Sequence, residues 1–340
     1  MKKAFSSSVL LALVSLGASS ALADLACPEF TPKPFSRIET RIDAGEGRVI
    51  EAKNIDCSKV EFAANMIADI REMLSPELST PGQLTFRMVD EFDNAFFNPE
   101  DISLNVPFQF VLEGYSKHPT HTIPIWAHEY GHAILDHNLV DAMPAWVNKM
   151  TEATGSRDHA EGIVQTVLGG YHEYFADVVA VLYTGKGDSV ARSLYLTGFM
   201  ANPEGKPTLC PANKPECRGE DKSEETKLSL SVPRDFTDRR NQLENWNPKY
   251  IRGPHNIFAP ARYDIWKYTL SNPLYNGKED KIVGLIVDAI IGDVSRRLTR
   301  MINADGFVTN ESLKRELGDP RRVNVEFIDL LDQYFAKGLR

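Results

Sequence analysis

The chain has 340 residues, 42% hydrophobic and 25% charged, a composition that can bury a core without metal or disulfide staples. Its net charge of −9, with no basic cluster, argues against nucleic acid as a partner.

The N-terminus reads as a secretory signal. Lys2 and Lys3 precede a short apolar run, and Ala21-Leu22-Ala23 fits a small-residue cleavage site, so residues 1–23 are predicted to be removed and Asp24 to lead the mature chain. The run is shorter than the roughly 20 apolar residues that span a bilayer, so no stable membrane insertion is expected after cleavage. The expected location is periplasmic or extracellular. Loss of the two lysines takes the net charge from −9 to −11. The four cysteines, Cys27, Cys57, Cys210 and Cys217, are an even set in an oxidising compartment and predict two disulfides. Of the three pairings, Cys27–Cys57 and Cys210–Cys217 are favoured because each closes a local loop. The absence of a Cys-x-x-Cys pair argues against a cysteine zinc site.

Residues 36–53 alternate apolar and polar side chains around Gly45-Glu46-Gly47, a hairpin signal. Ser58, with Glu61 three places on, predicts a capped helix whose apolar face is Val60, Phe62, Met66, Ile67, Ile70, Met73 and Leu74. Residues 83–89 and 102–108 read as strands, and 122–138 as a helix. Helical spacing then returns at 146–153, 158–168, 171–183 and 189–200. Residues 201–254 are rich in Pro, Lys, Glu, Asp and Asn and read as a loop-rich surface insertion pinned by one disulfide. Helices resume near Pro260, with a loop at 304–309. Strands first and helices after predict an α+β fold, with an α/β lobe over 24–138 and a mainly helical lobe over 139–340.

The stretch IWAHEYGHAILDH, residues 125–137, carries the chemistry. A helix advances about 100° per residue, so His128 and His132 project from one face, one turn apart. Two imidazoles so placed can bind one zinc ion. Glu129 is rotated away from that direction, where it can take a proton from a zinc-activated water without ligating. This is the metalloprotease reading of His-Glu-x-x-His. A catalytic zinc usually needs a third protein ligand. The residues that a metzincin would use are Leu135 and Asn138, and His137 is one place off. Glu173 and Asp177, in YHEYFADVVAVL, share one helix face; Glu173 can ligate, and Asp177 can accept a ligand imidazole's other N–H. Asp136 is the competing ligand, with Glu152 and Glu161 behind it. His118, His121, His159 and His172 read as loop or surface residues.

These residues resemble the gluzincins, and among them the thermolysin-like metallopeptidases. Glu173 and Asp177 match that family's Glu-x-x-x-Asp. DNAFFNPEDISL, residues 93–104, is similar to the family's Asn-Ala-Phe-x-Asn segment, which implies that Asn94 and Ala95 hydrogen-bond a substrate backbone from an edge strand. RGPHNIFAPARYDIW, residues 252–266, resembles its Gly-x-His segment, which implies that His255 donates to the oxyanion of a tetrahedral intermediate. Tyr171 is a candidate second donor. The family's calcium-binding Gly-Asp-Gly run is here NVPFQF, residues 105–110, so calcium stays an open expectation. The separation of His132 from Glu173, 41 residues, exceeds that in thermolysin itself.

The resemblance implies a zincin-like fold: a small twisted sheet and the motif helix in the first lobe, a helical second lobe, and a catalytic cleft between them. It implies one catalytic zinc ion and a peptide or protein substrate. The expected function is an exported zinc metalloendopeptidase. The alternatives are a non-catalytic peptide- or partner-binding protein on the same fold, a zinc aminopeptidase, or a structural zinc protein. Nothing in the sequence specifies an oligomeric state.

Overall fold

A computed structural model describes residues 35–39, 41–43, 49–51, 56–82, 84–89, 95–107, 122–197, 232–248, 251 and 253–339. The signal segment, Asn94, Cys27, Cys210, Cys217, His118 and His121 lie outside the described residues. Cys57 is not a free thiol. Both expected cysteine pairings involve residues that are not described.

Among the described residues six strands, with one helix between the third and fourth, come before the helical region. They are β1 (Phe35–Glu39), β2 (Arg41–Asp43), β3 (Val49–Glu51), β4 (Leu84–Val89), β5 (Phe96–Asn98) and β6 (Ser103–Pro107). β1, β4 and β6 run parallel and β5 adds antiparallel to β6, giving the order β1-β4-β6-β5. The hairpin expected over 36–53 is shorter than its alternating pattern: only β2 and β3 pair as one, while β1 joins the main sheet. A period of two marks a strand but not its partner. Among the described residues β5 is an edge strand, with no further strand paired to its outer side.

Helix α1 (Cys57–Leu74) starts one residue before Ser58. Its cap is Asp56, whose carboxylate accepts from Ser58 N at 3.1 Å, so the Ser58–Glu61 box expected from sequence is not used. A carboxylate two residues before that N–H meets the orphan donors first. Val60, Met66, Ile67, Ile70 and Leu74 face inward as expected, but Phe62 is on the solvent side.

Helix α2 (Ile123–Leu139) carries the histidine motif. Twelve of its 17 residues are buried, so it runs through the core and does not present one amphipathic face. Phe86 of β4 stacks on Trp126, ring centroids 5.3 Å apart, and seats α2 on the sheet. Helix α3 (Ala142–Thr154) follows. The two helices expected at 158–168 and 171–183 are one 28-residue helix, α4 (Arg157–Thr184). Gly169-Gly170 does not break it. A Cβ on Gly170 would sit 2.5 Å from Ile257, so glycine serves close packing at that point.

Helix α5 (Ser189–Thr197) is followed by the stretch read as a surface insertion. From Val232 the expectation fails. The segment makes two short 3₁₀ turns, Val232–Arg234 and Arg239–Asn241, and buries Arg234, Phe236, Asn241 and Trp246. The polar composition that suggested a solvated loop instead supplies groups that cap and pair inside. Asn241 donates to the carbonyls of Val232 and Asp235.

The C-terminal part comprises α6 (Ala259–Ile265), α7 (Glu279–Met301), α8 (Asn310–Leu317) and α9 (Pro320–Gly338). Core residues from the sheet, from α1 to α4 and from α6, α7 and α9 form one buried cluster. The α+β class holds. Among the described residues no helix is long and apolar enough to cross a membrane.

One carboxylate in this region gives a test of the packing. Burial, then repulsion from Asp332, lifts Asp264 of α6 to about 6. The unfolded value is about 3.9, so folding disfavours the ionised form, and stability falls as pH rises from there to pH 6 and stays lowered above it. Asp264→Asn is therefore expected to stabilise by about 1 kcal/mol at pH 8, allowing for solvent screening, and to change little at pH 4. Denaturant midpoints at the two pH values check this; an equal effect at both would contradict it.

Candidate metal centre

The site is built where α2 crosses α4. The crossing is close because small residues meet there: a Cβ on Gly131 would lie 2.7 Å from the backbone of Ala176. Gly131 sits between His128 and His132, and Ala176 between Glu173 and Asp177. The contact that lets the helices approach therefore brings the two pairs face to face.

The Nε2 atoms of His128 and His132 are 3.0 Å apart. Two nitrogens bonded to one tetrahedral zinc at 2.0–2.1 Å would be about 3.3 Å apart. Glu173 presents Oε2 at 3.4 Å from His128 Nε2 and Oε1 at 3.7 Å from His132 Nε2. Its Oε2 is buried with no hydrogen-bond partner among the described residues. An orphaned carboxylate oxygen facing two imidazole nitrogens fits a cation between them. His128, Glu129 and His132 also offer atoms within 4.8 Å of one another, so the His-Glu-His group could hold a metal ion. Of the two acids, Glu173 fits the third position better. It faces both Nε2 atoms, whereas Glu129 Oε2 is already engaged, accepting from Phe97 N of β5 at 3.1 Å.

Asp177 is fully buried and lies behind His128, with Oδ1 2.9 Å from Nδ1. A carboxylate there accepts a hydrogen bond from Nδ1–H and leaves the Nε2 lone pair for a metal. Sequence reasoning found this pair but missed what surrounds it. Arg234, from the first 3₁₀ turn after α5, pairs with Asp177 through Nη2 and through Nε at 3.1 and 3.2 Å. Its Nη2 also lies 2.9 Å from His128 Nδ1. Arginine has only donors, so with the Nδ1 proton directed at Asp177, Nη2 has no acceptor at Nδ1; it also lies 3.2 Å from Nε2 of the same ring. Arg262 of α6, also fully buried, brings Nη2 to 2.8 Å from Asp177 Oδ2. A usable signal existed for Arg262: Phe258, Ala259 and Ile265 lie three or four residues away, so helical spacing puts it on an apolar face. A buried arginine needs a buried acid. Arg234 follows Val232-Pro233 and precedes Phe236, a weaker signal.

Electrostatics follow from this packing. Burial and Arg234 push His128 down, but the Asp177 and Glu173 carboxylates outweigh them and lift it to about 9. Burial, with the charge of His128, holds His132 well below its ordinary value. Burial raises Glu129 to about 7. Burial also acts to raise Glu173, but His128 and His132, 3.4 and 3.7 Å away, outweigh it and hold it well below the carboxylate range.

A cavity of about 440 Å³ opens over this cluster. Ala95, Phe96 and Phe97 line one side, and Gln165, Gly169 and His172 of α4 line the other. Ala95, which the resemblance placed on the edge strand, lies one residue before it. His255 enters from the 3₁₀ turn Pro254–Asn256, with Nε2 3.3 Å from Glu173 Oε1 and its side chain 53% exposed. The turn is held by Phe258, which packs on Tyr171 and Phe327 with centroids 4.6 and 5.0 Å apart.

Two expectations change here. Tyr171 is not near the cluster: it is buried, donates to Asp293 and receives a bond from Arg297 at 3.0 Å. Its side chain leaves α4 on the face toward α7. His172 is not a surface residue: its ring lies 5.8 Å from that of His132 and lines the cavity. Asp136 lines the cavity too but is outside the 4.8 Å group. Glu152 and His137 are exposed, and Glu161 pairs with Arg157 at 2.8 Å in solvent.

No family model, curated protein or solved structure matches the chain, and the functional reading rests on its own residues.

Proposed function

We propose that the chain is an exported, zinc-dependent peptide hydrolase of the gluzincin type with a zincin-like fold. The observation that carries this is the position of Glu173. It comes from a separate helix, yet both its oxygens face the two Nε2 atoms of the His-Glu-x-x-His motif, at 3.4 and 3.7 Å. Two imidazoles and a carboxylate are a donor set suited to zinc with one open position. The ligands in this reading are His128, His132 and Glu173. A zinc ion held there would polarise a peptide carbonyl and activate water near neutral pH.

The other residues have tasks that follow from their contacts. Glu129, raised toward neutrality by burial, takes a proton from the attacking water and passes it to the leaving amine. Its bond to Phe97 N sets it beside the edge strand. An extended peptide adds along that edge, where main-chain hydrogen bonds give a grip tolerant of sequence. Ala95 contributes to this, as does Asn94. Asp177 fixes the tautomer of His128. His255 and Arg234 line the cavity and donate to the carbonyl oxygens of the bound chain, His255 toward the one that gains charge. The signal-like N-terminus supports export.

The test is digestion of an unstructured protein by the chain from Asp24 onward, with zinc, with chelator, and after zinc is restored. Internal cleavage that chelator abolishes and zinc restores is the expected result. Removal of single N-terminal residues would favour an aminopeptidase. Tight peptide binding without turnover would favour the binding-protein reading, and unfolding on chelation a structural zinc.

A further inference from the structure

Asp177 is one carboxylate buried against two guanidiniums. If it only fixed the tautomer of His128, one arginine would balance its charge, and a second buried arginine is costly to desolvate. The two are not equivalent. Arg234 lines the cavity, but Arg262 does not and has no exposed surface. Arg262 reaches only Asp177 Oδ2, whereas Arg234 bonds both oxygens, Oδ2 through Nε at 3.1 Å and Oδ1, which also faces His128, through Nη2. Arg262 Nη1 also donates to the carbonyl of Pro233 at 3.5 Å, the residue just before Arg234. One side chain thus touches the acid and the backbone of the turn that presents Arg234.

We propose that Arg262 is a positioning residue: it neutralises Asp177 from the closed side and so leaves Arg234 able to turn its donors to a ligand carbonyl in the cavity. With Arg262 absent, Arg234 is the sole guanidinium on Asp177 and stays on it. Arg262 touches neither substrate nor metal in this scheme. The substrate half of the proposal rests on the peptidase reading; the mobility of Arg234 does not.

Two measurements on the full, zinc-loaded chain separate these. The first is hydrogen exchange at the Arg234 Nε–H, followed by NMR with ¹⁵N-arginine and assigned by the signal lost in Arg234→Lys. Arg262→Met is expected to slow this exchange by about tenfold, and Arg262→Lys to restore it, because charge and not shape is what matters. If Arg262→Met does not fold, Arg262→Gln carries the same expectation. A purely structural Arg262 predicts the opposite sign, faster exchange in a loosened site; faster or unchanged exchange overturns the proposal. The second is binding of a labelled unstructured peptide to chains that carry Glu129→Gln to prevent cleavage. Arg234→Met and Arg262→Met are each expected to weaken binding about tenfold, and the double variant no further, since both act through one donor. Additive, roughly hundredfold weakening contradicts the proposal. If the parent chain binds no peptide, the peptidase reading falls, and the exchange measurement still decides the role of Arg262.

Discussion

Glu129→Gln is expected to lower peptide hydrolysis by about 10³-fold while one zinc ion per chain is retained. The amide keeps the size of the acid and can still face Phe97 N, so the site keeps its shape. What is lost is a group that holds a proton reversibly near neutral pH. Burial is the main cause of that property, raising Glu129 to about 7. The metal should stay, because in the proposed donor set Glu173 and the two Nε2 atoms hold it without Glu129. Rates on a quenched peptide, with metal content from the same sample, check this. Hydrolysis within a few-fold of wild type would remove Glu129 from the mechanism. Loss of the metal together with activity would make Glu129 a ligand, the other arrangement its distances allow.

The second large effect separates two acids four residues apart on α4. Glu173→Gln is expected to leave the fold intact and to weaken zinc binding by more than about 10²-fold, beyond the 10–100-fold typical of a partner that only orients a ligand. Its Oε2 has no hydrogen-bond partner to lose among the described residues. Asp177→Asn should behave differently. It leaves Arg234 and Arg262 buried with no full countercharge at 2.8–3.2 Å. Breaking such a group from one side costs about 3–5 kcal/mol, so the principal loss is stability, with zinc binding weakened by about 10–100-fold. Denaturant unfolding and zinc titration on both variants check the contrast. Equal loss of stability in the two would show that Glu173 also serves mainly as a buried countercharge.

How much of this was legible in the sequence depends on the range of the interaction. The motif helix, the Glu173–Asp177 pair and the strands at β4 and β6 follow from periods of 3.6 and 2, which are local. Boundaries depended on competition between neighbours, and Asp56 displaced Ser58 as the cap of α1. The gap left between the helices expected at 158–168 and 171–183 spans Gly169-Gly170, poor helix formers, yet α4 runs through it and Ile257 and Phe258 pack against Gly170. The least legible residues were Arg234 and Arg262. Their acid is 57 and 85 residues away in sequence, and no local pattern records a charge pair of that span. The polar stretch before α6 therefore read as a surface excursion, although its last part closes the site.

The identity of the metal and its donors is the claim on which the rest depends, and a zinc-edge X-ray absorption spectrum of the chain loaded with one equivalent tests it most directly. The expected result is four-coordinate zinc with two imidazole nitrogens at about 2.0–2.1 Å and the remaining donors oxygen, with one imidazole lost in His132→Ala. A sulfur donor at about 2.3 Å, or an imidazole count unchanged by that substitution, would contradict it.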